Sequence, residues 1–137
     1  MALIDAAGVT WRFPVEWSKV REFARAVHDR HGEGEYLPVP PTFPTYGIAA
    51  FGLWNALADF GFDPHRILHG EEEYVFRRPL RIGDRLACRT RLVQEYTKKG
   101  QTGGTMRFVV VETEMRDERT GDLVVSARTT AIETAPR

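Results

Sequence analysis

Residues 47–60 read GIAAFGLWNALADF, a run that is apolar on nearly every side of a helix and rich in small residues. A helix that is hydrophobic all round is buried among other elements, because no face of it suits water. Gly61 follows directly and suits a C-cap, since glycine adopts the left-handed conformation that ends many helices. The run therefore predicts a central, buried helix.

After His69 the hydrophobic period changes to two residues, as in strands. Turn-forming residues divide this half into four predicted strands: Glu72–Arg78, Arg85–Tyr96, Thr105–Arg116 and Leu123–Ile132. Lys98 and Lys99 are assigned to the turn between the second and third of these strands. The last three strands are long and joined by short loops, so they should form an antiparallel meander.

One buried helix followed by a long meander predicts an α+β chain with the hot-dog fold, in which an antiparallel sheet wraps around a central helix. A different two-layer α+β sandwich is the alternative that the pattern leaves open. With 137 residues, the chain is expected to form a single domain, 1–137.

The N-terminal part predicts two further elements and a stiff connection. Val9–Phe13 suits a short first strand that Pro14 ends, and Glu16–His28 has the spacing of an amphipathic helix with a weak N-cap. Residues 35–46 hold four of the eight prolines, which excludes a helix or a central strand there. We expect an extended segment that carries aromatic side chains across a surface or along a pocket wall.

Composition excludes several classes of function. Lysine plus arginine and aspartate plus glutamate number 19 each, so no overall field draws the chain to nucleic acid or to an anionic membrane. The N-terminus lacks the features of a signal peptide, and the most apolar run is too short for a bilayer. One cysteine, Cys88, excludes an internal disulfide and a cysteine-based zinc site, and it suits a small core residue. A cytoplasmic protein without a cofactor is expected.

Three phrases in the correct order cover most of the chain and resemble a known family. They are FARAVHDRHGEG at 23–34, PPTF at 40–43, and LHGE, YVFRRPL and GDRL at 68–71, 74–80 and 83–86. Together they resemble the N-terminal, non-catalytic type of MaoC-like dehydratase domain, including the HadA and HadC subunits of (3R)-hydroxyacyl-ACP dehydratases. The resemblance implies fatty acid metabolism, an acyl-CoA or acyl carrier protein substrate, and a heterodimer with a catalytic hot-dog subunit, or a homodimer.

The same resemblance implies that the catalytic pair is incomplete. In the family, an aspartate and a histidine activate the water that adds to a trans-2-enoyl thioester. Asp29 falls on the aspartate position, but Gly34 falls where the histidine should be. A glycine cannot transfer protons, and loss of one such group commonly costs about 10²–10⁴ in rate. The resemblance therefore implies an acyl-thioester-binding subunit that depends on a catalytic partner.

Five residues are candidates for catalysis, each with a structural alternative. Asp29 is a surviving acid or plain surface at a helix end, and His28 and His31 are substitute histidines or solvated ones. His28 and His31 have metal-ligand spacing, but no third ligand is apparent, so no metal is expected. His69 could line the acyl channel or simply hold a turn, and Asp63 could pair with it or belong to a loop after the helix.

Two further groups are candidates for binding. The first shapes an acyl tunnel, with core packing as the alternative for its later members: Pro41, Thr42, Phe43, Tyr46, Gly47, Phe51, Trp54 and His69. The second is a basic cluster that could receive a phosphopantetheine phosphate or an acidic carrier protein, or be solvated charge: Arg77, Arg78, Arg81 and the neighbouring Arg85.

Other functions stay open at this point. A homodimer could hydrate enoyl-CoA with His31 or His69 in place of the missing histidine. A hot-dog acyl-CoA thioesterase would use a carboxylate on or near the buried helix, for which Asp59 is the helical candidate. A binding module without turnover is the third possibility. Exposed sheet edges favour side-by-side pairing of two such domains in every case.

Overall fold

A computed structural model describes residues 8–30, 37–53, 57 and 60–136 of the chain. They form a five-stranded antiparallel sheet with the order β1-β3-β4-β5-β2. The strands are β1 (Val9–Pro14), β2 (Ile67–Phe76), β3 (Arg85–Lys99), β4 (Thr105–Asp117) and β5 (Leu123–Glu133). The predicted meander of three long strands is β3-β4-β5, and β1 and β2 are the two edges.

The assignment of Lys98 and Lys99 to a turn is wrong. Both residues continue β3 and pair with Met106 and Thr105 of β4. The turn itself is short and lies between Gly100 and Gly104. The amide of Gly100 donates to the carbonyl oxygen of Gly104 at 2.6 Å. Strand pairing continues through the lysines because the ammonium of Lys98 lies over two stacked rings, 5.4 Å from Tyr96 and 5.2 Å from Phe108.

Helix α1 (Trp17–Ala26) lies within the predicted range and has no side-chain cap at its N-terminus, as expected. Its inner face buries Val20 and Ala24, and the half-buried Phe23 packs against the core. The helix ends at Ala26 with Val27 as its C-cap, and His28 then adopts a left-handed conformation with φ of 58°. This ending turns the chain away from the helix axis just before Asp29.

Helix α2 (Pro44–Ile48) begins earlier than predicted, with proline in its first turn, where the missing amide is harmless. It runs into a π-helical turn at Ala49–Leu53. Of the rest of the predicted central helix, Leu57 and Phe60 are described, and the other residues, including Trp54 and Asp59, lie outside the described ranges. The amide of Phe62 donates to the carbonyl of Leu57 at 3.2 Å across Gly61, whose φ is +69°, so the predicted glycine cap is confirmed.

Aromatic side chains fix α2 against the sheet. Phe13 of β1 is fully buried and stacks on Phe43, with ring centroids 5.4 Å apart. Phe23 of α1 meets the same Phe43 edge-on, also at 5.4 Å. The ring of Phe13 lies so close to Gly47 that a Cβ there would stand 2.6 Å from its Cε1 atom. The proline-rich segment is therefore anchored in the core by Phe43.

We expect Gly47→Ala to lower the free energy of unfolding by about 1–3 kcal/mol, because the added methyl overpacks a ring that has no room to move. Helix propensity alone predicts the opposite effect, an increase in the free energy of unfolding of up to about 1 kcal/mol, because alanine favours a helix more than glycine does. Urea unfolding decides between the two effects.

Gly100→Ala is the matched control for this substitution. Its added Cβ would make an ordinary contact, 3.4 Å from the carbonyl oxygen of Gly104. We expect a change within about 0.5 kcal/mol. A Gly47→Ala protein as stable as the wild type would show that the packing of Phe13 on α2 is loose.

Candidate functional site

A small cavity of about 40 Å³ lies between α2 with its π-helical turn and strands β2 and β5. Most of its wall is apolar, with a few polar side chains at one corner. The wall is formed by Thr45, Ile48, Ala49, Leu53, Leu57, Ile67, Leu68, His69, Glu72, Thr129 and Ala131. This volume admits a few water-sized groups, so it suits a short stretch of chain.

The helical residues of the cavity wall have the sequence spacing of a single helix face. Positions 45, 48, 49, 53 and 57 recur at three- and four-residue intervals and so share one helix face. The hydroxyl groups of Thr45 and Tyr74 hydrogen-bond each other and tie α2 to β2 beside the cavity. Burial raises the pKa of Tyr74 to about 12, so this hydroxyl stays neutral.

A β-bulge in β2 shapes the polar corner. His69 pairs with Ala131 and Glu71 pairs with Thr130, which leaves Gly70 as an extra residue. In a regular strand, residues 69 and 72 would point to opposite faces, but one extra residue returns them to the same face. A Cβ at Gly70 would lie 2.6 Å from Cδ1 of Ile132, so glycine suits this crowded position.

The bulge brings an imidazole and a carboxylate into contact. Nε2 of His69 lies 2.7 Å from Oε2 of Glu72, and the hydroxyl of Thr129 donates to Oε1 of Glu72 at 2.8 Å. The Glu72 side chain is only 13% exposed, whereas that of His69 is 45% exposed. Burial raises the pKa of Glu72 above its ordinary value, and the hydrogen bonds from Thr129 and His69 act against this shift.

This arrangement gives the cavity one oriented polar group. A carboxylate that contacts one ring nitrogen fixes the orientation of the imidazole and leaves the other nitrogen for a ligand. The corner could therefore hydrogen-bond a substrate, or exchange a proton with it, beside an otherwise apolar wall. Among the residues that the structure describes, His69 is the one predicted site residue on this wall.

The other catalytic candidates that the structure describes lie away from the cavity wall. Asp29 follows the end of α1, where its amide donates to the carbonyl of Ala24 at 2.8 Å, and it is not among the residues that line the cavity. His31 and Gly34 lie outside the described residues. The carboxylate of Asp63 accepts from the amide of His65 at 2.9 Å and from Nε of Arg66 at 3.1 Å.

Of the predicted tunnel residues that the structure describes, His69 lines the cavity and the others do not. Phe43 and Gly47 are buried in the aromatic core, and Tyr46 is half-buried beside them. Phe51 is 44% exposed and stacks on Trp11 with centroids 5.6 Å apart. The remaining members are two exposed residues, Pro41 and Thr42, and one outside the described ranges, Trp54.

Some arginines of the predicted basic cluster pair with neighbouring carboxylates, and others are exposed. Arg78 makes a bidentate pair with Asp84 at 2.8 and 3.1 Å and reaches Asp117 at 3.4 Å. The hydrogen bonds to Asp84 raise the pKa of Arg78, so the guanidinium is committed to structural pairing. Arg85 lies 3.4 Å from the carboxylate of Glu118. Arg77 and Arg81 are exposed, and they are the members of the cluster still suited to a phosphate.

Sequence reasoning missed Glu72 and Thr129. A signal for Glu72 was available, because it shares the two-residue alternation of Tyr74 and Phe76, whose side chains face the core. A charged residue at an inward-facing strand position needs a partner, and that need points to a site. Thr129 carries no such signal, since threonine is common in strands.

Every helix in the described part of the chain is too short or too polar to span a lipid bilayer. Within the same ranges, histidine, cysteine, aspartate and glutamate do not form a group of three or more that could hold a metal ion.

The buried carboxylate predicts a pH dependence of stability. The raised pKa of Glu72 means that ionising it costs more in the folded than in the unfolded chain, so the wild type carries a penalty above the folded pKa. The penalty is relieved as the pH falls from neutral toward the ordinary value of 4.5. We expect the wild type to gain stability relative to Glu72→Gln between pH 7 and pH 5, measured by urea unfolding.

Glu71→Gln removes one charge from the exposed face of the same strand and is the control for that substitution. If the wild type instead loses stability relative to Glu72→Gln as the pH falls from 7 to 5, the result contradicts the burial of this carboxylate.

Comparison with known proteins identifies the family. The family described as "FAS1-like, dehydratase domain region" matches residues 5–127. A UPF0336 protein of Streptomyces griseus is 30% identical over an alignment that covers 90% of this chain and 86% of that protein.

Solved structures show the same fold. The C-terminally truncated HadBC (3R-hydroxyacyl-ACP dehydratase) complex of Mycobacterium tuberculosis matches with a TM-score of 0.64 and 25% identity, over 96% of this chain and 99% of that one. The ChsH1–ChsH2 complex of the same organism matches with a TM-score of 0.67 and 13% identity, over 96% and 88% of the two chains. The α+β hot-dog prediction is thus confirmed, and the chain belongs to the FAS1-like dehydratase domain family of MaoC-like hot-dog proteins.

Proposed function

We propose that this protein is the acyl-thioester-binding subunit of a (3R)-hydroxyacyl-ACP or -CoA dehydratase and works with a catalytic hot-dog partner. The observation that carries the proposal is the cavity between α2 and β2, whose wall is apolar apart from one polar corner. Apolar walls favour hydrocarbon, because burying it releases water from both surfaces. The family is that of a dehydratase domain region, and the resemblance described in the sequence analysis implies the reaction class, a reversible hydration of enoyl thioesters.

A division of labour with a partner follows from the missing histidine. Gly34 stands in the sequence where the family has its catalytic histidine, and Asp29 does not line the cavity. Water activation needs two groups within hydrogen-bond reach of one water. In our proposal the partner supplies that pair, while this chain holds the acyl group. Arg77 and Arg81 are the proposed contacts for the phosphate of the thioester arm.

The edge strand β2 supports a partner with a different sequence. It pairs on one side with β5, and its Leu68 and Val75 side chains are 56% and 47% exposed. Residues 71–73 are all glutamate and lie at the middle of this strand. Antiparallel pairing with a second copy centred on Glu72 would place Glu71 opposite Glu73 on the exposed face, and like charges directly opposite each other destabilise a sheet. Both structural relatives described above are complexes of two named subunits.

A second candidate function is a self-sufficient enoyl-CoA hydratase. The contact between His69 and Glu72 favours it, because a carboxylate-oriented imidazole can act as a general base. Turnover by the purified chain alone separates this candidate from the dependent subunit.

We expect the purified chain to bind saturated hexanoyl-CoA and to leave trans-2-hexenoyl-CoA unhydrated when no partner is present. Calorimetry measures the binding, and loss of the enoyl absorbance measures hydration. Ala49→Phe should reduce binding at least about tenfold, since a phenyl group fills a cavity that suits a few small groups.

Ala50→Phe is the control, because Ala50 is exposed and does not line the cavity. If Ala49→Phe and Ala50→Phe weaken the binding of hexanoyl-CoA equally, the cavity does not hold the acyl chain. Rapid hydration by the chain alone would replace the dependent subunit by the second candidate.

Removing the charges of the edge strand should increase self-association. We expect Glu71→Gln combined with Glu73→Gln to shift the chain toward a homodimer in sedimentation equilibrium, because the repulsion between paired β2 strands is relieved. Glu16→Gln with Asp122→Asn makes the same change in net charge at exposed sites away from β2. If the wild type already forms a tight homodimer through β2, the requirement for a different partner is wrong.

A further inference from the structure

The antiparallel sheet has an open edge on β3 as well as on β2. Strand β1 pairs only with residues 85–90 of β3, whereas β3 continues to Lys99 and stays paired with β4. In the described part of the chain, no strand pairs with β3 beyond Arg91 on the side of β1. The end of this strand therefore presents backbone amides and carbonyls to which another strand can bind.

The side chains along this open edge alternate between the two faces of the sheet. Glu95, Thr97 and Lys99 lie on the face that carries the hydrophobic core, and Tyr96 and Lys98 lie on the opposite face. The Tyr96 side chain is half-buried, and the other four are exposed. One face of the edge thus carries a carboxylate and an ammonium group, with Thr97 midway between them.

This arrangement is complementary to itself. In a dimer whose two-fold axis passes the contact at Thr97, perpendicular to the sheet, two β3 strands run antiparallel and each residue faces the one equally far beyond the axis. Glu95 of each copy then faces Lys99 of the other, and opposite charges directly across a ladder stabilise it. Tyr96 faces Lys98 in the same register. These two residues already attract each other within one chain, where the ammonium lies 5.4 Å from the ring.

The neighbouring registers lack these pairs. An axis at Lys98 would place two ammonium groups opposite each other, and an axis at Glu95 would do the same with two carboxylates. An axis at Tyr96 would set Glu95 against Thr97 and would pair no opposite charges. Lysines on an open edge generally deter pairing with other strands. The charges therefore favour one register and disfavour its neighbours.

The Glu95 carboxylate has capacity for this pairing. Its Oε1 lies 3.5 Å from Nη2 of Arg107 in its own chain, at the long limit of a hydrogen bond. A carboxylate accepts several hydrogen bonds, so Glu95 can also receive the ammonium of Lys99 from a second copy. The Glu95 side chain is 47% exposed, so the pairing removes only part of its hydration.

We propose that residues 94–100 of β3 form an interface through which two copies of this chain join edge to edge, in the register centred on Thr97. The two β2 strands stay free at the far ends of the joined sheet, so each copy can still pair there with the different partner proposed above. The contact is short, so we expect weak association with a dissociation constant of about 100 µM. The interface involves none of the residues that line the cavity, so the proposal does not depend on acyl binding.

Exchange of the two charges tests the register. Sedimentation equilibrium of the full chain, at concentrations from about 10 µM to about 1 mM, should show a monomer–dimer equilibrium. Glu95→Lys and Lys99→Glu should each weaken the dimer at least about tenfold, because each places like charges opposite each other at two points. The double variant restores opposite charges and should return the dissociation constant to within about threefold of the wild type.

A control and a second readout locate the contact. Asp122→Lys makes the same change in net charge as Glu95→Lys at an exposed site between β4 and β5, and it should leave the dissociation constant unchanged. Raising the concentration from about 10 µM to about 1 mM should slow hydrogen exchange at the amides of residues 94–100 that face the open edge. The amides at the open edge of β2 should keep their exchange rates.

The other outcomes each overturn the interface. A chain that is still monomeric at about 1 mM does not form this contact. A dimer that resists both single substitutions, or that the double variant fails to restore, uses another register or another surface. Oligomers that grow beyond the dimer would indicate that β3 of one copy binds β2 of the next, a contact that repeats without closing.

Discussion

The contact between the ring of Phe13 and the backbone of Gly47 determines where α2 lies on the sheet. Phe13 projects from an edge strand into the core and is fully buried there. A side chain at position 47 would collide with it, so glycine lets the helix backbone lie directly against the ring. The helix face that carries Ile48 and Ala49 is thereby turned toward β2 and β5, and the cavity lies in the space between them. The position of the cavity is thus a consequence of one close approach in the aromatic core.

Strand positions were predictable because their signal is local. Two-residue alternation bounded by glycine, proline and aspartate gives the bounds of β4 to within one residue, Thr105–Arg116 predicted and Thr105–Asp117 found. The end of β3 was not predictable in the same way. Lys98 continues that strand because of ring contacts with Tyr96 and Phe108, and pairing across a hairpin is not a property of a single strand.

The candidate site was predictable only in part, for a related reason. His69 was a candidate from its sequence context, but its partner depends on the strand register. Residues three apart in a strand normally face opposite ways, so Glu72 is excluded as a neighbour until the bulge at Gly70 is known. The bulge itself depends on the pairing of β2 with β5, residues far apart in the sequence. A local pattern shows which residues could carry chemistry, and the tertiary register shows which of them meet.

The chain has one cysteine, and Cys88 lies in the core of the sheet with only 3% of its surface exposed. Burial raises the pKa of its thiol to about 12, so the reactive thiolate is scarce at neutral pH. A cysteine introduced on the surface would therefore be the preferred target of a maleimide dye or a nitroxide spin label in the native protein. Distances could therefore be measured by fluorescence or electron spin resonance between labels on introduced cysteines, without first replacing Cys88.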